Sequence, residues 1–298
     1  MSRNYMDICN EVAENLRIYL PNCEIITQSV YKNNDTERFG INIRTKDSNV
    51  APVIYLNSVI DANYSIEELV RWVLDLYQRS NAPEVTGIID DLRDFERIKD
   101  KIELLLVNKE LNQETLNDLA YKDFLDLAII AAVNVGFDEN LNPMKVKVTK
   151  NLLKTWKVNF ESVYSAGFEA LCRTKAKIYD IFDLMGSLGD FESDYDLGKM
   201  YVLSNIEGYF GANLVLRTDI LADFARKIGS NLALIPSSVH EWLLVPTDIL
   251  DQFRGDFRAD LDSMIAAVNG SEVVGDEEIL GTHTYYFDRE KEEILCQI

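Results

Sequence analysis

Within five residues, Ser237–Ser238–Val239–His240–Glu241, the chain assembles two hydroxyls, an imidazole and a carboxylate. His240 is one of only two histidines in 298 residues. These are the ingredients of nucleophilic catalysis. Ser237 or Ser238 would attack, His240 would take the proton, and Glu241 or Asp248 would orient the ring. In an extended segment Ser238 and His240 share a face, because strand side chains alternate. No Gly-x-Ser-x-Gly elbow surrounds either serine, and no oxyanion donor is evident. The competing reading is a turn between two strands, its serines bonded to backbone and its histidine filling a polar pocket.

Other chemistries leave only partial traces. His240–Glu241 begins like a zinc-protease helix, but Leu244 stands where the second histidine belongs. His283 with His240 and a carboxylate would make the two-histidine, one-carboxylate set of hydrolytic zinc or non-haem iron; otherwise they are isolated histidines. Gly198–Lys199 is followed by Met200, so no phosphate-binding loop is present, and Gly208-Tyr-Phe-Gly211 reads as a tight turn. Carboxylates pair at Asp90–Asp91, at Asp194 and Asp196, and at Asp276–Glu277–Glu278. With 50 acids in the chain such neighbours are expected on a solvated surface. No complete motif calls for a metal or an organic cofactor.

The elements that must position these residues follow from periodicity and punctuation. Leu232–Ile235 and Trp242–Val245 are apolar runs that read as strands flanking the polar insert. Asp219 can open a helix that Gly229 ends, and Asp248 can open a long one through Val268 that Asn269–Gly270 stops. Met200–Ser204, Asn213–Leu216, His283–Phe287 and Glu293–Cys296 read as further strands. In the first half, Met6–Leu20 has helical spacing and Pro21 stops it. Cys23–Tyr31 and Phe39–Arg44 read as a hairpin, with Pro52–Leu56 a third strand. Ser65-x-x-Glu68 is a capping box for a helix to Gln78. Pro83 can start another, whose spacing runs through Ile88, Leu92, Phe95, Ile98 and Ile102. Ile102–Val107 and Phe124–Val135 are apolar enough to be buried strands. Gly136–Pro143 is turn-rich and marks a boundary. The five lysines Lys145, Lys147, Lys150, Lys154 and Lys157 read as a solvated face, and Phe160–Thr174 as a helix. These elements predict an α+β fold of two lobes, 1–144 and 145–298, with mixed or antiparallel sheets covered by amphipathic helices.

Composition narrows the setting. Hydrophobic residues make up 47% of the chain, enough for a sizeable core. The net charge is −20, and half of it falls in residues 201–298, where 17 acids face 7 bases. Such a surface repels nucleic acid and anionic membranes. The four cysteines, Cys9, Cys23, Cys172 and Cys296, form no close pair and read as free thiols. No signal peptide and no run of about 18 apolar residues is visible. The expectation is a cytoplasmic protein without a membrane span.

Several segments together carry a resemblance: VYKNN (Val30–Asn34), PVIYLN (Pro52–Asn57), FLDLAI (Phe124–Ile129), MYVLSN…GYFGA (Met200–Ala212), LIPSSVHEWLLVP (Leu234–Pro246) and VNGSEV…HTYYFDRE (Val268–Glu290). The chain resembles, over nearly its full length, a family of domains of unknown function from anaerobic Gram-positive bacteria and their mobile elements. The Pro-Ser-Ser-x-His-Glu element is its most distinctive mark. The resemblance implies a cytoplasmic α+β protein and assigns no functional residues. The function expected on balance is non-enzymatic: an acidic protein that binds or inhibits a protein partner, basic in character, with nucleic-acid mimicry as one version. The alternative is a hydrolase or other small-molecule enzyme using Ser238, His240 and Glu241.

Overall fold

The computed structural model describes residues 4–45, 53–79, 91–137, 143–181, 200–250, 257–271 and 274–296. They build an α+β fold from three antiparallel sheets. The expected helix start at Pro83 and the Gly198–Lys199, Asp194 and Asp196 positions lie outside the described residues.

The first sheet has its own core. Helix Tyr5–Tyr19 is capped by Asn4, whose side chain accepts from the Met6 amide at 3.1 Å. Its apolar stripe, Cys9, Val12 and Leu16, is fully buried against β1 (Cys23–Tyr31) and β2 (Glu37–Thr45). β3 (Val53–Tyr55) pairs with the other edge of β2. The capping box forms as expected. The Ser65 amide donates to the Glu68 carboxylate at 2.8 Å and the Glu68 amide to the Ser65 hydroxyl at 3.3 Å, opening helix Ile66–Arg79.

The second sheet is centred on β6 (Leu127–Phe137). β4 (Ile102–Asn108) lies along one edge; β5 (Tyr121–Phe124) and β7 (Pro143–Lys147) share the other. Two expectations change here. The run Phe124–Val135 is not one strand, because Leu125 turns left-handed (φ 56°) and Leu125–Asp126 close a hairpin. Ile102 opens β4 rather than continuing the preceding helix, which is the short Phe95–Ile98. The lysines also divide. Lys150, Lys154 and Lys157 are exposed, but Lys145 is paired with Glu103 and only 12% exposed, because β7 lies on a packed sheet. Residue 145, where the sequence suggests a boundary, falls within this strand.

The third sheet has the order β13-β12-β10-β11-β9-β8, with β8 Ala176–Asp180, β9 Tyr201–Asn205, β10 Leu232–Ser238, β11 Glu241–Pro246, β12 Tyr285–Asp288 and β13 Glu293–Leu295. Asn213–Leu216 is not a strand. Gly211–Leu216 winds as a 3-10 helix wedged between the second and third sheets, with Ala212, Leu214 and Val215 buried. The buried Trp242 indole locks it by donating to the Ala212 carbonyl at 2.8 Å. A continuous core runs from Ile98 and Ile102 through Leu203 and Trp242 to Phe287, so these two sheets pack as one body. Helix Thr218–Ile228 ends at left-handed Gly229, as the sequence suggests. The long helix expected after Asp248 is seen as Thr247–Leu250 and Phe257–Asn269.

The first sheet meets this body through the turn after β1. Asn34 and Asp35 are left-handed there (φ 58° and 47°), a conformation that Asn and Asp tolerate best among side chains with a Cβ. The Asn34 amide side chain donates to the Asp276 and Ile279 carbonyls at 2.7 Å each, and Asn33 donates to the Glu277 carbonyl at 2.7 Å. Asp35 accepts from the Glu114 and Thr115 amides, capping helix Gln113–Asp118. No helix among the described residues is long and apolar enough to cross a membrane.

Candidate functional site

The Ser237–Glu241 insert is a hairpin turn between β10 and β11, and its pairing register shifts between Pro236 and Ser238. Pro236 has no amide to donate and lies beyond the Leu232–Leu234 stretch that pairs with β12, so the sheet tolerates it. Ser238 Oγ accepts from the His240 amide at 3.1 Å, a local side-chain bond that tightens the turn. Ser237 Oγ donates to Glu241 Oε1 at 3.3 Å. The turn is pinned on both sides. The Val239 amide donates to the Glu278 carbonyl at 2.9 Å, and Ser204 Oγ donates to the His240 carbonyl at 2.8 Å.

The His240 imidazole has other partners than these serines. Its Nδ1 accepts from the Phe210 amide at 3.0 Å, which places the neutral ring's proton on Nε2. Nε2 lies 3.6 Å from Glu278 Oε1. The structure thus gathers Ser237 with Glu241, Ser238 with the His240 backbone, and the His240 ring with Phe210 and Glu278. Asp248 lies at the other end of β11, its amide 3.3 Å from Ser230 Oγ. His283 faces a different carboxylate, with Nε2 at 3.7 Å from Asp126 Oδ2.

What His240 holds is one wall of a cleft. Phe210 is left-handed (φ 55°), a conformation costing a side chain with a Cβ about 1–2 kcal/mol, and the bond to His240 offsets that cost. The Phe210 ring lies 4.5 Å beneath the Lys145 ammonium, a cation–π contact. Lys145 pairs with Glu103, and Glu103 accepts from Asn134 Nδ2 at 2.7 Å. These residues line an open cavity of about 920 Å³ between β4, β7, helix Phe160–Arg173 and the turn at 205–213. Opposite them, Gly167 lets the helix approach β4. A Cβ there would sit 2.8 Å from Leu104 Cδ2.

A family of unknown function, DUF5688, matches residues 5–289. The chain belongs to it. No characterised protein and no solved structure matches the chain. The matched span takes in the His240 turn, the cleft and His283.

In the sequence Lys145 reads only as part of a solvated face and Phe210 only as part of a turn, and Glu103 and Asn134 are passed over, although their signal is there. Glu103 is the only charge in the apolar strand IELLLVN, and Asn134 is the polar residue near the end of β6. A lone charge or a lone amide in a strand buried along most of its length needs a partner, and here the two partner each other. Asn213 is the second omission. Its Nδ2 donates to the Leu104 carbonyl at 2.7 Å, while its Oδ1 is buried and accepts no hydrogen bond among the described residues.

Proposed function

We propose that this protein is a non-enzymatic binding protein whose cleft receives an extended segment of a protein partner. The observation that carries the reading is the open cavity itself, about 920 Å³, with Asn213 in its wall holding a buried side-chain oxygen that accepts no hydrogen bond among the described residues. Leaving such an atom unpaired costs about 1–3 kcal/mol, a cost removed if the Asn213 side chain turns to meet a backbone N–H of the bound segment. The rest of the lining suits a polypeptide. Ile206, Tyr209 and Phe210 offer apolar surface, while Lys101, Arg173 and Glu207 bring charges of both signs.

The net charge of −20 adds a long-range term that draws a basic partner to the surface before the cleft engages. An inhibitor that mimics nucleic acid is one version, in keeping with the mobile-element setting of the sequence resemblance. In that version affinity falls steeply with added salt.

A displayed random-peptide library panned against the full chain tests the reading. Enriched linear peptides are expected to bind wild type and to lose at least tenfold, about 1.4 kcal/mol, in the rim variant Asp100→Lys/Glu207→Lys or in Asn213→Leu. Failure of any peptide to enrich, or binding indifferent to both variants, would overturn it.

A further inference from the structure

The second histidine belongs to a different constellation. Asp126 occupies the two-residue turn between β5 and β6, where left-handed Leu125 swings it out of the sheet. His283 enters β12, and Cys296 follows β13. β12 and β13 pair with Tyr286 opposite Leu295, so the register brings Cys296 across from Tyr285. His283 lies two residues before Tyr285, on the same face, their rings 4.6 Å apart. Three segments distant in sequence thereby converge. One ring nitrogen, one carboxylate oxygen and the Cys296 sulfur all lie within 4.8 Å of one another, the one such trio of His, Cys, Asp or Glu among the described residues.

The spacing fits a shared ion better than a proton relay. His283 Nε2 is 3.7 Å from Asp126 Oδ2, and Cys296 Sγ is 3.8 Å from Asp126 Oδ1. Ligands about 2.0–2.3 Å from a tetrahedral centre are separated by roughly 3.3–3.8 Å. A nucleophile–histidine–acid relay needs the acid and the nucleophile on opposite ring nitrogens. Here a single ring nitrogen lies near both the carboxylate and the sulfur. The carboxylate is oriented from behind, because the Tyr285 hydroxyl donates to Asp126 Oδ1 at 2.7 Å. Metal ligands are commonly held by such an outer partner. His283 and Cys296 are half-buried and Asp126 is exposed, so an ion has a route in.

We propose that Asp126, His283 and Cys296 form a zinc site with three protein ligands and an open fourth position for water or a ligand. Nitrogen, thiolate and carboxylate donors together suit a borderline-soft divalent ion. Binding forms a sulfur–metal bond and releases the Cys296 thiol proton to solvent. The ion ties the C-terminal hairpin of the third sheet to the β5–β6 turn of the second.

The test titrates the metal-free full chain with Co²⁺ as a spectroscopic probe, then displaces it with Zn²⁺. One equivalent is expected, with a sulfur-to-cobalt charge-transfer band and tetrahedral visible bands. Cys296→Ser should abolish the charge-transfer band and His283→Ala should weaken binding at least about tenfold. Cys172→Ser, which changes an exposed thiol elsewhere, should leave both unchanged. Zn²⁺ should also slow alkylation of Cys296 in the wild-type chain, a readout that needs no variant to fold. Absence of the band, its persistence in Cys296→Ser, or alkylation of Cys296 at the same rate with and without Zn²⁺ would overturn the site.

Discussion

The two histidines stand in opposite relations to the chain around them. His240 lies in a turn where nearly every polar group is engaged: Ser238 by the His240 amide, Nδ1 by the Phe210 amide, the His240 carbonyl by Ser204. His283 meets groups more than ten residues away, and its ring, the Asp126 carboxylate and the Cys296 thiol converge on one point. The turn that looks most like chemistry in the sequence commits its polar groups to hydrogen bonds within the fold. The cluster with no sequence signature has the geometry of a ligand site. Hydrogen bonding explains the difference: the two serines bond within the turn, and Ser204, Phe210 and Glu278 from packed neighbouring segments take up the His240 carbonyl, the ring nitrogen and the Val239 amide.

The largest effect should come from breaking the architectural side. A Cβ at Gly211 would stand 2.7 Å from both the Asn205 nitrogen and the His240 carbonyl oxygen, backbone atoms that cannot step aside. Gly211→Ala should therefore lose about 3 kcal/mol in denaturant unfolding and weaken peptide capture by the cleft. If it unfolds like wild type, the wall is not as tightly built as described.

The histidines themselves come next. His240→Ala leaves the Phe210 amide without its acceptor in a left-handed residue, an expected loss of about 2 kcal/mol. His283→Ala, without metal, should cost about 1 kcal/mol, since the half-buried ring loses its packing on Tyr285 and strands no backbone donor. Equal losses would erase the contrast. A hydrolytic activity found by substrate screening and abolished in His240→Ala would reverse it.

The smallest effect concerns pH and belongs to neither histidine, so it serves as a baseline. Burial, and secondarily the nearby Lys32, hold the Lys147 ammonium below the usual lysine range, opposed by Asp35 and Glu277. A lysine with a lowered folded value binds fewer protons folded than unfolded between that value and the unfolded one, about 10.5. Stability should therefore rise with pH across that window and level off above it. Lys147→Met should remove this rise, seen as the difference between wild-type and variant unfolding curves collected at several pH values.

The legibility of the sequence divides along the same line. The first helix and its hairpin, the Ser65–Glu68 capping box and the strands around His240 were readable because their signals are local: apolar period, proline stops, side chains that cap the nearest amides. The break at Leu125–Asp126 was not, since an unbroken apolar run hides a turn made by a left-handed leucine. The 3-10 path of Asn213–Leu216 was missed because a wedge between two sheets demands burial on all sides, which a strand pattern also satisfies. A hairpin of Cys23–Tyr31 and Phe39–Arg44 implies a turn at Lys32–Asp35, but nothing local announces its role as the joint to Asp276–Ile279, 242 residues away for the Asn34–Asp276 bond. Nor could periodicity place Glu103 beside Asn134 and Lys145, or Asp126 beside His283, because register between distant strands sets those meetings.

The comparison meets its most direct test in the ring nitrogens. Long-range ¹H–¹⁵N correlation spectra of the full chain, recorded with and without one equivalent of Zn²⁺, read both histidines at once. His240 should appear as the Nε2–H tautomer with an unprotonated Nδ1 accepting from the Phe210 amide, unchanged by zinc, while a His283 nitrogen shifts to a metal-bound position. A His240 ring protonated at Nδ1, or zinc moving His240 and leaving His283 untouched, would contradict the division of labour between the two sites.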